Sequence, residues 1–443
     1  MEFAAGVWET KDVEFARLWK EEAAGQEAET AGMIHSIRDM GEISFVILRS
    51  RQGLLQAVRE GAGQQGDLSR LKEGQAVRVR GVLKKEPKAP HGMELRLSDA
   101  RILSEPAAPL PLPVGKWKMG ISLEASLDHR PIALRNLRER AVFKIQEGLC
   151  RGFREFLTGQ GFTEIHTPKI GARSAEGGAN LFKLSYFHHP AVLAQSPQFY
   201  KQMMVGVFDR VFEVGPVFRA EKHSTRRHLN EYTSMDFEMG FLDSFYDLCQ
   251  METAMLQSMF ALLEREYGTE LSLLDVRLPK ITSIPCLRFD EAKRLVSEAC
   301  HRPIRSPYDL EPEEEGLIGT YAKETWDSDF VFVTHYPSKK RPFYAMEDPE
   351  NTQATLSFDL LFRGMEVTTG GQRIHDYGML MEKLEKRGMD TEGMEEYLDC
   401  FRYGMPPHGG LGIGLERLTM QLLSAENIRQ ASLFPRDMTR LKP

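Results

Sequence analysis

The chain has 443 residues, of which 42% are hydrophobic and 27% charged, and a formal net charge of −7. That length exceeds one ordinary core and implies two or three domains of a water-soluble globular kind. The acidic balance excludes a protein that coats nucleic acid indiscriminately, and no apolar run reaches the length that crosses a bilayer, so no membrane partner is expected.

Residues 1–30 read as a polar leader with a short helix, in which Phe15, Leu18 and Trp19 are the possible anchors. Early acids and the lack of an apolar core before a cleavage site argue against a signal peptide. Five scattered cysteines (Cys150, Cys249, Cys286, Cys300, Cys400) form no CxxC pair. They point away from a zinc site or a disulfide framework and towards a reducing cytoplasm.

From 31 to 104 apolar and polar residues alternate in five short runs between Gly, Pro and Asp turns, from GMIHSIRDM to MELRLSDARIL. Five such strands predict a small closed barrel of the oligonucleotide-binding (OB) kind. On one face Gln56 and Glu94 could read base edges. Phe45 could stack a base, although its spacing favours the core. Lys84, Lys85 and Lys88 read as a solvated loop. Residues 105–120 carry Pro106, Pro109, Pro111 and Pro113 and predict a stiff extended hinge.

A larger α+β domain is expected from 121 to 443. RNLRERAVFKIQEGLCRGFREFLTGQG predicts an amphipathic helix, with Leu137, Val142, Ile145, Leu149, Phe153 and Phe156 at helical spacing and Gly159 and Gly161 ending it. GFTEIHTPKIG predicts a strand broken by Pro168. SAEGGANLF places the Glu176 carboxylate on a glycine-bearing loop, where it could meet an amine. VLAQSPQFYKQMM enters a helix at Pro197 and sends Gln198 and Lys201 to one side. Two β-like runs then flank the charged loop KHSTRR, and alternation puts Arg219 and Glu221 on one strand face. Arg219, Arg227 and His228 converge where a triphosphate could sit. Residues 242–340 read as scaffold, with a buried strand over 328–337. In MEVTTGGQR, Glu366 and Thr369 offer hard oxygens to Mg²⁺, with Asp359 as a further carboxylate or a structural partner, and Arg373 suits a ligand carboxylate. Glycines 409, 410, 412 and 414 read as a glycine-rich approach, before a helix with Arg417 in its first turn.

Three stretches carry a resemblance: GFTEIHTPKI, FRAE…RRHLNEYTSMDFEM and GLGIGLERL. They resemble the three signatures of class II aminoacyl-tRNA synthetases, and over residues 30–443 the chain is similar to aspartyl-tRNA synthetases of the archaeal/eukaryotic type. The resemblance implies an OB-fold anticodon-binding domain, a catalytic antiparallel sheet flanked by helices, and a homodimer. It implies ATP-dependent ligation of L-aspartate to tRNA(Asp) through an aspartyl-adenylate. Arg219, Glu366 and Arg417 would be catalytic. Arg219, Ala220, Glu221, Arg227, His228, Leu229, Tyr232, Glu366, Gly414, Leu415, Glu416 and Arg417 would line the ATP site. Glu176, Gln198, Lys201, Arg219, Thr369 and Arg373 would bind aspartate, and Glu366 and Thr369 would bind Mg²⁺. Phe45, Gln56, Glu94 and Met33 would face the anticodon. Met33 stands where strictly selective relatives commonly carry tryptophan, which implies either that tRNA(Asn) is also charged and its product passed to an amidotransferase, or that Met33 is merely a packing substitution. The alternatives are an asparaginyl-tRNA synthetase, against which Lys201 argues, and a silent tRNA-binding paralogue, which would need a broken signature.

Overall fold

A computed structural model describes residues 14–61, 66–175, 180–223, 225–299, 301, 303 and 306–442. The chain divides into two compact units, 1–140 and 141–443.

In the first unit, β1 (Glu27–Asp39), β2 (Ile43–Arg49), β3 (Leu54–Glu60), β4 (Ala76–Lys85) and β5 (Met93–Ser104) close a barrel in the order β1-β2-β3-β5-β4. Closure removes the open sheet edges. Alternate side chains such as Val46, Leu48, Val77, Val79 and Leu95 fill the interior. The leader is tied down over its described part. A one-turn helix, α1 (Phe15–Leu18), buries Phe15 and Leu18 in the barrel core. Trp19 stacks on His91 with ring centroids 3.8 Å apart. The proline-bearing segment holds no helix or strand. It packs Leu112, Val114 and Met119 against Ala133, beside the short helices α2 (Leu123–Asp128) and α3 (Arg130–Ala133).

The long helix α4 (Leu137–Gly159) buries Ile145, Leu149 and Phe153, with Val142 and Phe156 partly covered. In the second unit it lies behind an eight-stranded sheet. That sheet runs β12 (Cys286–Arg288), β13 (Phe330–Thr334), β16 (Ser357–Phe362), β17 (Met365–Gln372), β18 (His408–Gly414), β11 (Glu231–Gly240), β10 (Arg210–Phe218), β6 (Thr163–Glu164). From β13 to β10 every pairing is antiparallel, and the two edge strands pair parallel. A second helix, α6 (Tyr246–Glu266), joins α4 at the back. Gly148 and Gly152 let the two helices close up, since a Cβ at Gly148 would lie 2.6 Å from Leu263. Helix α12 (Leu415–Leu422) packs into the same core as α4 and α6, and α5 (Gln198–Phe208) packs on β10 and β11. Helix α9 (Pro312–Trp326) packs on β13 and β17. A small sheet orders β7 (Ile170–Gly171), β9 (His189–Leu193) and β8 (Lys183–Tyr186), with Pro168 between β6 and β7. Among the described residues no helix is long and apolar enough to cross a membrane.

Candidate active site

The central strands β11, β17 and β18 form the floor of a cavity of about 490 Å³. Nine lysine and arginine side chains and six carboxylates line it. That excess of cations favours anionic ligands.

At one end four charged groups are buried together. Lys201 Nζ donates to Asp236 Oδ1 and to the Leu411 carbonyl, each at 2.9 Å, and lies 3.4 Å from Glu238. Arg373 Nε donates to Glu238 Oε1 at 2.8 Å, and its Nη2 donates to the Gly410 carbonyl at 2.9 Å. Lys201, Asp236 and Glu238 are each no more than 3% exposed. Buried charges persist only when paired and hydrogen-bonded, and here two cations meet two carboxylates. Burial alone would raise the Glu238 carboxyl, but Arg373 and Lys201 hold it below the usual glutamate value. The glycines of β18 make room for the carboxylates. A Cβ at Gly412 would sit 2.9 Å from Asp236 Oδ1, and one at Gly410 would overlap Glu238 and the Phe237 carbonyl. Those glycines belong to a central strand, which runs directly into the helix that carries Arg417 in its first turn.

At the other end, Arg417 Nη1 donates to the Glu366 carbonyl at 3.1 Å and to Glu366 Oε1 at 3.3 Å. Thr369 Oγ1 donates to the same carboxylate oxygen at 3.2 Å. Burial would raise Glu366, but Arg417, Arg341, Arg219 and Arg227 keep it lowered and ionised. Arg219 lies over the Tyr232 ring, 5.9 Å from its centroid. Burial and the nearby Arg417 hold His228 below the ordinary imidazole value, and its Nδ1 is 2.6 Å from Thr225 Oγ1. Glu416 accepts the Thr233 N–H with both oxygens, at 3.0 and 3.1 Å.

The cavity gathers Gln198, Lys201, Arg219, Glu221, Arg227, His228, Leu229, Tyr232, Glu366, Thr369, Arg373, Gly414, Glu416 and Arg417. Ala220 and Leu415 do not line it. Ala220 N–H donates to the Asn180 carbonyl, and Leu415 is buried in the core behind the sheet. Glu176 lies outside the described residues. The expected strand face for Arg219 and Glu221 is corrected: β10 ends at Phe218, and both residues sit on the loop beyond it. Their backbone leaves the ladder there, the Arg219 N–H donating to the Asn230 carbonyl and the Glu221 N–H to the Arg219 carbonyl.

Glu315, in the span read as scaffold, and Arg341, just beyond it, are groups that the sequence did not flag. Arg341 lies 2.8 Å from Asp359 and stacks 4.0 Å over Tyr336. Burial pushes the Asp359 carboxyl up to about 6, against the pull of Arg341. Glu315 holds Arg227 with both oxygens, at 2.8 and 3.0 Å. Acids one turn into a helix such as DLEPEEEG look like helix-start residues, so no local signal marks Glu315.

The barrel carries a second cavity, lined by Phe45, Ile47, Gln56, Glu94, Arg96 and Lys88 among others. Phe45 belongs to this face and not to the core, because Val46 and Leu48 take the inward positions of β2. Gln56 Nε2 donates to Glu94 Oε2 at 2.9 Å, and Arg96 pairs with Glu94 Oε1 at 2.6 Å. Met33 on β1 pairs with Arg49 of β2 and Ala76 of β4. Arg49 alternates with Ile47 and Phe45, so Met33 lies on the same outward side of the barrel as they do, although it does not line the cavity.

Comparison with known proteins fits this geometry. The sequence profile of "tRNA synthetases class II (D, K and N)" matches residues 122–438. The chain belongs to that family. The profile of the "OB-fold nucleic acid binding domain" matches residues 29–103. The chain is 47% identical over 425 residues to the aspartate–tRNA(Asp/Asn) ligase of Deinococcus radiodurans, covering 95% of this chain and 96% of that one. It is 40% identical to the aspartate–tRNA(Asp) ligase of Pyrococcus abyssi, covering 96% and 98%. The crystal structure of asparaginyl-tRNA synthetase from Pyrococcus horikoshii with asparaginyl-adenylate superposes with a TM-score of 0.89 at 30% identity, covering 98% of this synthetase and all of that chain.

Proposed function

We propose that this class II synthetase joins L-aspartate to tRNA(Asp), using ATP, through an aspartyl-adenylate. The observation that carries the aspartate reading is the buried Lys201 beside Arg373 at one end of a cavity whose other end is rich in arginine. A buried ammonium suits an ionised side chain; a neutral amide would leave it without a ligand counter-charge. Gln198, and Glu176 from its loop, would meet the amino end of the substrate.

The reaction needs reactants held in line and charge neutralised at phosphorus, not a covalent side chain. The aspartate α-carboxylate attacks the α-phosphorus, pyrophosphate leaves, and the acyl group passes to the terminal adenosine of the tRNA. Arg219 would bridge the attacking carboxylate and the α-phosphate. Tyr232 and Arg417 would sandwich the adenine, with Glu221, His228 and Leu229 beside it. Glu366 and Thr369 fit Mg²⁺, because both are hard oxygen donors and the carboxylate is held ionised. Among the described residues no group of three or more His, Cys, Asp or Glu gathers for a metal. An ion here would draw its remaining ligands from water and the triphosphate, and would supply charge neutralisation.

Phe45, Gln56 and Glu94 would read the anticodon. Relaxed tRNA choice is supported by Met33 on the outward side of the barrel and by the 47% identity to a tRNA(Asp/Asn) ligase. On this reading tRNA(Asn) is charged too, its product needs an amidotransferase, and the enzyme works as a cytoplasmic homodimer. The test is side-by-side charging of purified tRNA(Asp) and tRNA(Asn) with labelled aspartate. Charging of both is expected. Charging of tRNA(Asp) alone would remove the relaxed reading, and charging of neither would remove the ligase.

A further inference from the structure

Helix α9 is docked against the catalytic sheet by glycines. A Cβ on Gly319 would overlap the backbone of Gly364, and a Cβ on Gly364 would lie 2.8 Å from Gly316 Cα. Gly364 forms the turn between β16 and β17 with φ of +75°. Such backbone-to-backbone contact fixes the first turn of α9 with little play. A capping box of Glu311 and Glu314 starts the helix, and buried Lys293 pairs with Glu314 at 2.6 Å.

The residue delivered by this docking is Glu315, only 5% exposed. One carboxylate oxygen accepts from Arg227 Nη2 at 3.0 Å. The other accepts from Arg227 Nη2 at 2.8 Å and from the Glu366 N–H at 3.1 Å. Glu315 therefore ties the charged loop to the strand that carries Glu366. Arg227 lines the cavity, and its Nε is buried without a hydrogen-bond partner. An arginine on the wall of a cavity lined by cations suits an anionic oxygen from a ligand.

We propose that Glu315 is a positioning residue for nucleotide binding: it clamps Arg227 and Glu366 in one geometry, so that Arg227 presents its remaining donors to the phosphates of ATP. The proposal rests on the reading of this cavity as the ATP site. Arg227 is long and flexible, and without the clamp much of its binding would be lost to ordering the side chain.

The test is aspartate-dependent ATP–pyrophosphate exchange by wild type, Glu315→Gln, Glu315→Ala, Arg227→Ala and the Glu315→Gln/Arg227→Ala double variant, with thermal melting of each. The expected result for Glu315→Gln is a KM for ATP raised about tenfold, with the KM for aspartate within about twofold. The double variant is expected to be no worse than Arg227→Ala alone, because both changes remove one interaction. A purely structural role would instead lower the melting temperature and move both KM values, and the two changes would add. Additive effects, or an unchanged KM for ATP, overturn the proposal while leaving the ligase reading intact. If wild type shows no exchange, the ligase reading fails and this proposal fails with it. If Glu315→Ala does not fold, the isosteric Gln variant carries the same comparison.

Discussion

Replacing Lys201 by methionine keeps the length of the side chain and removes its charge. The structure sets the size of the effect. The ammonium lies 2.9 Å from Asp236 and 3.4 Å from Glu238, and its neighbours are almost fully buried. At an effective dielectric near 20, the attraction to the nearer carboxylate alone is about 6 kcal/mol. Breaking a buried pair by removing one partner typically costs about 3–5 kcal/mol, because a buried charge is left uncompensated. For a unit of this size that lowers the melting temperature by roughly 5–8 °C. The second consequence concerns the substrate. With Lys201 present, two cations face Asp236 and Glu238, and an incoming carboxylate finds Lys201 and Arg373 close by. Without it the pocket is net negative and repels aspartate. Pyrophosphate exchange measured below the melting range should show a KM for aspartate raised about 100-fold or more, with the KM for ATP changed by less than about threefold. If melting falls while aspartate saturation stays at the wild-type value, Lys201 is a structural cation and the assignment of the amino-acid pocket is wrong.

Two further outcomes follow from the same coordinates. Glu252 is fully buried behind the sheet, accepts from Thr368 Oγ1 at 2.6 Å, and has its other oxygen unpartnered. Burial pushes its carboxyl from 4.5 to about 8. Between those values the folded chain holds a proton that the unfolded chain has released, so stability falls as pH rises from about 4.5 to 8 and levels off above. Glu252→Gln should remove that slope and gain at most about 5 kcal/mol at pH 8, read from denaturant unfolding across pH; identical slopes in the two proteins would refute the neutral carboxyl. In the barrel, Phe45→Ala should weaken aminoacylation through the KM for tRNA by about tenfold, since a stacked base contributes about 1–3 kcal/mol. The same variant should leave tRNA-independent exchange unchanged, and a drop in exchange would show that Phe45 matters to folding and not to RNA.

Much of this architecture was legible because its signals are local. Strand alternation between turn residues marks β1 to β5, and helical spacing of Ile145, Leu149 and Phe153 marks α4. The candidate site was legible where residues sit within a short motif, as with Arg219, Glu366 and Arg417. What escaped depends on distant contacts. Arg341 lines the cavity, and Glu315 reaches Arg227 and the Glu366 N–H, through elements distant in sequence from them. Spacing alone favoured the core for Phe45, because nothing in an alternating run says which of its two faces is inward. The packing role of the glycines of β18 is likewise not local. A glycine run usually signals a loop, whereas here each missing side chain is space used by a carboxylate or a backbone on the neighbouring strand.

The near-identity of fold with an asparaginyl enzyme, at a TM-score of 0.89, means that backbone shape cannot separate aspartate from asparagine. Selection must lie in a few side chains and in whatever fixes their charge. Gln202, next to Lys201, is fully buried. Its Oε1 accepts from Tyr397 Oη at 3.1 Å, and its Nε2 lies 3.0 Å from His408 Nε2. His408 Nδ1 lies 2.9 Å from the Pro406 carbonyl, which can only accept, so Nδ1 carries the proton and Nε2 receives the Gln202 donor. Burial lowers His408 to about 4, which keeps the ring neutral. A glutamate at 202 would face a ring nitrogen that offers it no proton, and would add a negative charge next to Asp236 and Glu238. The neutral chain Tyr397–Gln202–His408 therefore keeps the positive charge of Lys201 available to the substrate. On the proposed function, aspartate selectivity would rest on that neutrality as much as on the lysine itself.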